Sequence, residues 1–268
     1  MTLTFLTLAL VFYFGACIGS FLNVVIWRLP QGKTLGGRSH CPHCHRTLQA
    51  WELFPLFSFL WLGGKCAGCR QKISWRYFVI EAAVGALFLL AWASFMDFSL
   101  LGSLLLLRAW LLIALMTVVF VVDMEQYIIL DSVVIFGSLA GLLTNIFLDS
   151  AAGTAWTWHG YLAGGLAGGL AAVVPFWLVW YISKGRWMGF GDVKLAVLLG
   201  ILLGWSLVGT ALFLGILLGG AVSLFLLASR AKGLKSQVPL GTFLSLAAVI
   251  SLLYGPALLA WYLALLGI

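Results

Sequence analysis

The chain has 268 residues, 63% of them hydrophobic and only 9% charged, with a net charge of +7. A soluble domain carries about a quarter charged residues, so this composition, with a mean hydropathy of +1.11, excludes a water-soluble globular protein and places the chain in a lipid bilayer. The basic excess speaks to topology, because Lys and Arg gather in cytoplasmic loops; no aromatic-basic array of the single-strand-binding kind is present, and no nucleic-acid partner is expected.

At the required length of about 20 residues, the apolar runs predict eight transmembrane helices, roughly 3–27, 77–96, 101–122, 128–148, 160–182, 192–206, 207–228 and 241–265. Residues 1–27 hold no charge, so the basic n-region of a cleaved signal peptide is missing and a retained span is expected. Cys17, in "YFGACIGS", reads as a small buried thiol rather than a lipoprotein cleavage site. Gly164, Gly165, Gly168 and Gly169 recur in the fifth run, and Gly215 and Gly219 in the seventh. Small residues four apart let helix backbones approach closely, so these are packing faces. Gly200, Gly204 and Gly209 leave no polar break between the sixth and seventh runs.

The polar insert, 28–76, holds eight of the fifteen basic residues. With this insert in the cytoplasm, Lys184, Arg186, Lys194, Arg230, Lys232 and Lys235 also fall inside, fourteen of fifteen in all. Such asymmetry predicts the orientation, and it puts both termini outside. Only Arg108, within the third run, departs; it either snorkels to the outer surface or pairs inside the bundle.

This topology brings Asp123, closing the third run in "VVFVVDMEQYIILD", and Asp192, opening the sixth in "WMGFGDVKLAVLLG", to one depth of one membrane face. Each has a plainer reading: a helix N-cap for Asp192 and an interfacial span terminus for Asp123. Together they can share a proton and titrate as a unit. The ionised member can activate water while the protonated one polarises a carbonyl. Gly189 and Gly191 would let an extended substrate backbone approach. Lys194 would either bias the charge of the site or face headgroups, and Asp131 is a rival for Asp123. Glu81 is expected to pair with a residue such as Arg76 or to help shape the site; Asp97 and Asp149 are expected in solvated outer turns.

Cys41, Cys44, Cys66 and Cys69 form two C-x-x-C knuckles with twenty-one residues between them, the pattern of a four-thiolate zinc site. Disulfides are disfavoured in a reducing compartment. "CPHCH" also matches haem-attachment spacing, but that leaves the second knuckle unexplained. A structural zinc would shape an insert too small to build a core. The fold class that follows is an all-α polytopic membrane protein of about eight transmembrane helices with a small zinc-binding cytoplasmic insert. Its expected organisation is a first helix at 1–27, the four-cysteine loop at 28–76 and a transmembrane core at 77–268.

Taken in order, "GSFLNVVIWRLP", "SHCPHCHRTL", "CAGCRQKISWRYFVIE", "VVDMEQYIILD" and "GFGDVKLA" resemble the bacterial prepilin peptidases, intramembrane aspartic proteases with a G-x-G-D signature, from about residue 15 to 245. The resemblance implies that Asp123 and Asp192 are catalytic. It implies an enzyme of the bacterial inner membrane that cleaves the basic leader from type IV pilin or pseudopilin precursors after a Gly, at the cytoplasmic face. It further implies N-methylation of the new terminus from S-adenosylmethionine, a site for which no glycine-rich strand-turn-helix appears here. The chain departs from the family at Leu130, where Pro is usual, in "WELFPLFSF", and in "VPLGTF", which keeps Pro239 and Gly241 but lacks the usual Phe and second Pro. The rival expectation is an ion- or proton-coupled transporter with a metal-sensing loop.

Overall fold

The computed structural model describes residues 2–154, 157–229, 238–265 and 267. The basic residues Arg230, Lys232 and Lys235, expected in the last inner loop, lie outside these. Among the described residues the elements are helical, with no strand: α1 (Thr2–Arg28), α2 (Phe57–Trp61), α3 (Trp75–Phe95), α4 (Leu100–Gln126), α5 (Asp131–Ala152), α6 (Tyr161–Ser183), α7 (Phe190–Ala228) and α8 (Leu240–Leu265). Seven of these, all but α2, are long and apolar enough to cross a membrane, so the chain is a multi-pass membrane protein. They form two compact units, Met1–Ser94 and Phe95–Ile268.

In the first unit α1 and α3 run antiparallel with their backbones close. A Cβ added at Gly15 would lie 2.8 Å from Phe88 Cβ, and one at Gly19 would lie 2.9 Å from Glu81 Cα. Only small residues permit such an approach. Cys17 stands midway between these glycines, on the opposite side of a helix with 3.6 residues per turn. That is why it is exposed rather than buried as expected. Glu81 accepts from the backbone N–H of Leu56 at 2.8 Å.

In the second unit α4 is the most enclosed helix, with Leu112, Ile113 and Met116 almost fully buried. The expected sixth and seventh spans form one element, the 39-residue α7. A straight helix of that length would run about 58 Å, twice the hydrocarbon thickness of about 30 Å. It is not straight: Gly204 has φ 74 and ψ 175, a conformation that only glycine reaches without strain. The contacts show what the break does. Positions 137 and 141 of α5 pack on Leu198 and Leu202, running alongside the first limb away from Asp192. On the second limb Leu207 meets Gly255, Gly215 meets Leu244, and Gly219 meets Phe243 and Leu240. The second limb therefore returns antiparallel to α8. The seven candidate spans therefore contain eight helical runs among the described residues.

The fifth-run glycines serve this reversal unequally. Gly165, Gly168 and Gly169 face α7, and a Cβ at Gly200 would lie 2.3 Å from Gly168 C, whereas nothing lies within 4 Å of a Cβ at Gly164. Near the turn, Asn145 is fully buried and donates Nδ2 to Ile201 O at 3.0 Å. In an unbroken helix that carbonyl would accept from residue 205. Arg108 pairs inside the bundle: Nη1 donates to Asn145 Oδ1 at 3.2 Å, and the guanidinium sits 5.2 Å from the Tyr161 ring centroid. Asp149 is not a solvated turn residue. It is buried and accepts from the N–H groups of Tyr161 and Leu162 and from Thr154 Oγ1. Those N–H groups belong to the first turn of α6, which has no intrahelical acceptors for them.

Candidate active site and metal centre

Asp123 occupies the last turn of α4, 5% exposed. The helix ends four residues on, where Tyr127 takes φ 58 and returns its N–H to Asp123 O at 2.9 Å. The Asp123 side chain meets the start of α8. Its Oδ2 accepts from Thr242 N at 2.7 Å and from Thr242 Oγ1 at 3.1 Å. The Thr242 N–H is one of the orphan donors of a helix N-terminus, and the helix dipole favours a carboxylate there.

Asp192 lies in the first turn of α7, with its own N–H on Gly189 O at 3.2 Å. Its neighbour Gly191 and the start of α8 that seats Asp123 form one junction. Ile129, in the turn after α4, holds the junction. A Cβ at Gly191 would lie 3.1 Å from Ile129 Cβ, and one at Gly241 would lie 3.0 Å from Ile129 Cδ1 and 2.9 Å from Asp123 Oδ2. Asp123, Gly191, Asp192, Gly241 and Thr242 therefore converge on one end of the second unit.

The two motif glycines differ in role. Gly191 is needed for packing against Ile129. Gly189 is exposed, and a Cβ there would make only ordinary contact with Asp192 Oδ2, at 3.8 Å. It leaves one side of the Asp192 carboxylate open. Lys194 donates to Asp131 Oδ1 at 2.5 Å, in a pair whose side chains are 33% and 63% exposed. Asp131 is thus engaged at the surface, while Asp123 is enclosed. The sequence reading missed Thr242 and Ile129. "VPLGTF" drew notice for Pro239 and Gly241, and a threonine two residues into a helix is the signal that was available.

In the first unit the two knuckles are near copies. His40 bridges to Thr47 and Lys65 to Lys72; Cys41 N bonds Arg46 O and Cys66 N bonds Gln71 O. The left-handed residues His45 and Arg70 occupy equivalent turn positions and bond Cys41 O and Cys66 O. The four Sγ atoms lie within 4.8 Å of one another, with Cys41 to Cys69 at 3.8 Å. A tetrahedron with Zn–S bonds of about 2.3 Å has edges of about 3.8 Å, so the donor set fits a metal ion. No histidine joins the cluster among the described residues. The backbone N–H groups of Cys69 and Gly68 draw the Cys66 thiol down to about 6, against burial. The neighbouring proton is held more tightly: although Gln71 N–H pulls Cys69 down, burial and the Cys44, Cys66 and Cys41 sulfurs push it up to about 11. Arg46 reaches across to Glu52 and Cys66, tying the knuckles together.

The fold and site define a class: a multi-pass membrane protein that gathers two carboxylates at one end of a helix bundle and carries a separate four-thiolate module. Residues 13–95 match the family described as Bacterial Peptidase A24 N-terminal domain, and residues 110–224 match the Type IV leader peptidase family. The chain belongs to the type IV leader peptidase family. It is 32% identical to the prepilin leader peptidase/N-methyltransferase of Pseudomonas putida, over 98% of this chain and 95% of that one. The protein of the same name from Aeromonas hydrophila is also 32% identical, over 97% and 95%, and that of Pseudomonas aeruginosa 30%, over 94% and 92%. No solved structure matches the chain. Asp123 and Asp192 both fall within the second match, whereas Thr242 lies beyond it.

Proposed function

We propose that Asp123 and Asp192 are the catalytic pair of a membrane aspartic endopeptidase. It removes the basic leader from type IV pilin or pseudopilin precursors, after a Gly, and the new N-terminus is then methylated. The observation that carries the reading is the packing of Gly191, beside Asp192, and of Gly241, against Asp123, on the one side chain of Ile129, with Asp123 held by Thr242. Membership of the leader peptidase family supports the reaction class.

Thr242 directs two donors at one Asp123 oxygen, which suits an acceptor-only carboxylate. Asp123 therefore takes a proton from water as the water oxygen attacks the scissile carbonyl carbon. Asp192, carrying the shared proton, gives it to the carbonyl oxygen. When the intermediate collapses, the C–N bond breaks, the amine leaves with the proton from Asp123, and Asp192 recovers its own. The pair ends with one proton, as it began. Gly189, open beside Asp192, is where the extended substrate backbone lies. The peptidase core set at 77–268 draws all of these groups from the second unit.

The basic residues favour the cytoplasmic side of a bacterial inner membrane for this end of the bundle. Zinc is the metal we assign to Cys41, Cys44, Cys66 and Cys69, as a structural ion in a site with no open position. S-adenosylmethionine supplies the methyl group when bound; the cleaved amine offers its nitrogen lone pair and releases one proton.

The test is leader removal from a pilin precursor by the full chain purified in detergent. Asp123→Asn and Asp192→Asn should each abolish it. Cleavage that survives both changes ends the peptidase reading.

A further inference from the structure

One stretch of the polar insert is not polar. The ten residues 53–62, "LFPLFSFLWL", hold no charge and a single polar side chain, Ser58, with Glu52 before them and Lys65 after. An apolar run of this length is either a buried core segment or one that dips into a membrane and returns. Exposure separates the two. Phe59 is 7% exposed and packs on the rings of Trp75 and Phe78, 5.0 and 5.5 Å between centroids. Phe54, Phe57, Leu60 and Trp61, in contrast, are 54%, 66%, 60% and 85% exposed. A core segment does not present such a face, and a contiguous apolar patch is not left to water without a reason.

Two contacts set the depth of this stretch against α1 and α3, both long and apolar enough to span. Glu81 lies six residues, about 9 Å, into α3 from Trp75, and it accepts the Leu56 N–H at 2.8 Å. Tyr13 lies fifteen residues, about 22 Å, along α1 from Arg28, and its ring centroid is 6.2 Å from that of Phe57. Arg28 and Trp75 are the helix ends that lead into the insert, so Leu56 and Phe57 reach well inside a hydrocarbon layer about 30 Å thick. Backbone at that depth must be satisfied without water. Pro55 has no N–H; Phe57, Ser58 and Leu60 donate to the carbonyls of Pro55, Phe54 and Leu56. Leu56 takes φ 65, strained for a side-chain-bearing residue, and the Glu81 carboxylate accepts its N–H. Ser20 of α1 bonds the same carboxylate, so one side chain ties both spans to the tip. We propose that 53–62 is a re-entrant wedge seated among the acyl chains of the leaflet on the insert's side, with Glu81 holding its tip. Lipid is the occupant because the adjoining spans expose apolar side chains at the same depths, Phe14 and Phe21 of α1 and Val79 of α3. Exposed Trp51 and Trp75 stand where the wedge enters and returns, as Trp does at a membrane–water interface. The wedge joins the two cysteine knuckles in sequence and so fixes both to the bilayer surface. It needs only α1 and α3 as spans, whatever the carboxylates of the second unit do.

Carbene labelling of the full chain tests the wedge, in vesicles of phosphatidylethanolamine and phosphatidylglycerol that carry a phospholipid with a diazirine in its acyl chain. Adducts should map to Phe54, Phe57, Leu60 or Trp61 at the level found on Phe14 and Phe21, with none on residues 39–47. Hydroxyl-radical footprinting of the same vesicles should leave Phe57 protected while oxidising His43. Glu81→Leu removes the acceptor of the Leu56 N–H and should cut the adducts on 53–62 several-fold while those on α1 persist. Glu81→Gln keeps an acceptor oxygen and should restore them. Adducts confined to the long helices, with Phe57 oxidised, place the segment in water and overturn the wedge. A segment protected from water yet free of lipid adducts is covered by a second copy of the chain, which overturns it equally. Wild-type labelling of 53–62 in Glu81→Leu overturns the part assigned to Glu81. The unmodified chain decides the wedge whether or not Glu81→Leu folds.

Discussion

The four-cysteine insert and the carboxylate pair are assembled by opposite means. Each knuckle brings two sulfurs together within a single turn, closed by its own hydrogen bonds and one left-handed residue. Only the meeting of the two knuckles needs help, which Arg46 and a metal ion held by the four sulfurs would supply. Asp123 and Asp192 share no turn. They meet because Ile129 packs against Gly191 and Gly241, and because the N-terminus of α8 seats Asp123. One site is local geometry that an ion would complete; the other is tertiary packing completed by absent side chains. The insert should therefore respond to metal, and the carboxylate site to ångström-scale changes at glycine.

The sharpest separation is between ligand loss and carboxylate loss. Asp192→Asn should lower cleavage by on the order of 10⁴-fold while metal analysis finds full zinc. Changing Cys41 and Cys44 together to Ser should remove the zinc. Zinc that persists in the double variant would refute the ligand set, and zinc lost from Asp192→Asn would dissolve the contrast.

Gly241→Ala and Gly191→Ala come next. An added methyl meets Asp123 Oδ2 at 2.9 Å in one and Ile129 Cβ at 3.1 Å in the other. Displacement of this order can cost about 10²-fold in rate. Gly189→Ala meets Asp192 Oδ2 only at 3.8 Å and should lose far less, measured as kcat on one precursor. Equal losses at all three positions would mean that Gly189 packs rather than opens the site.

Thr242→Val keeps the N–H but removes the hydroxyl donor to Asp123. A drop of about tenfold in kcat is expected, with recovery in Thr242→Ser. A serine variant as slow as the valine variant would assign the effect to shape rather than to the hydrogen bond.

The smallest effect belongs to Lys194→Met. Its pair with Asp131 is half-exposed, and such pairs contribute about 0–1 kcal/mol. Melting temperature and cleavage should both change little; a large loss of cleavage would show that Lys194 acts on the carboxylates.

Spans, insert and ligand spacing could be read from the chain because each is a local property. Apolar length marks a helix, C-x-x-C marks a knuckle, and glycines four apart mark a close helix face. The misreadings have a common origin. Residue type suggests a buried Cys17 and loop position a solvated Asp149, but burial depends on which face meets a neighbour. Cys17 lies on the side of α1 away from the glycines that face α3; Asp149 was drawn inward by the unsatisfied N–H groups of α6.

By itself the sequence determined that this chain crosses a membrane many times, that four thiols form one cluster, and that two carboxylates end separate helices. Only the tertiary structure decided that α7 turns back at Gly204, that Arg108 finds Asn145, and that Thr242 takes hold of Asp123. Helical periodicity is written within a few residues. A hydrogen bond between residues more than a hundred positions apart depends on how every intervening helix packs.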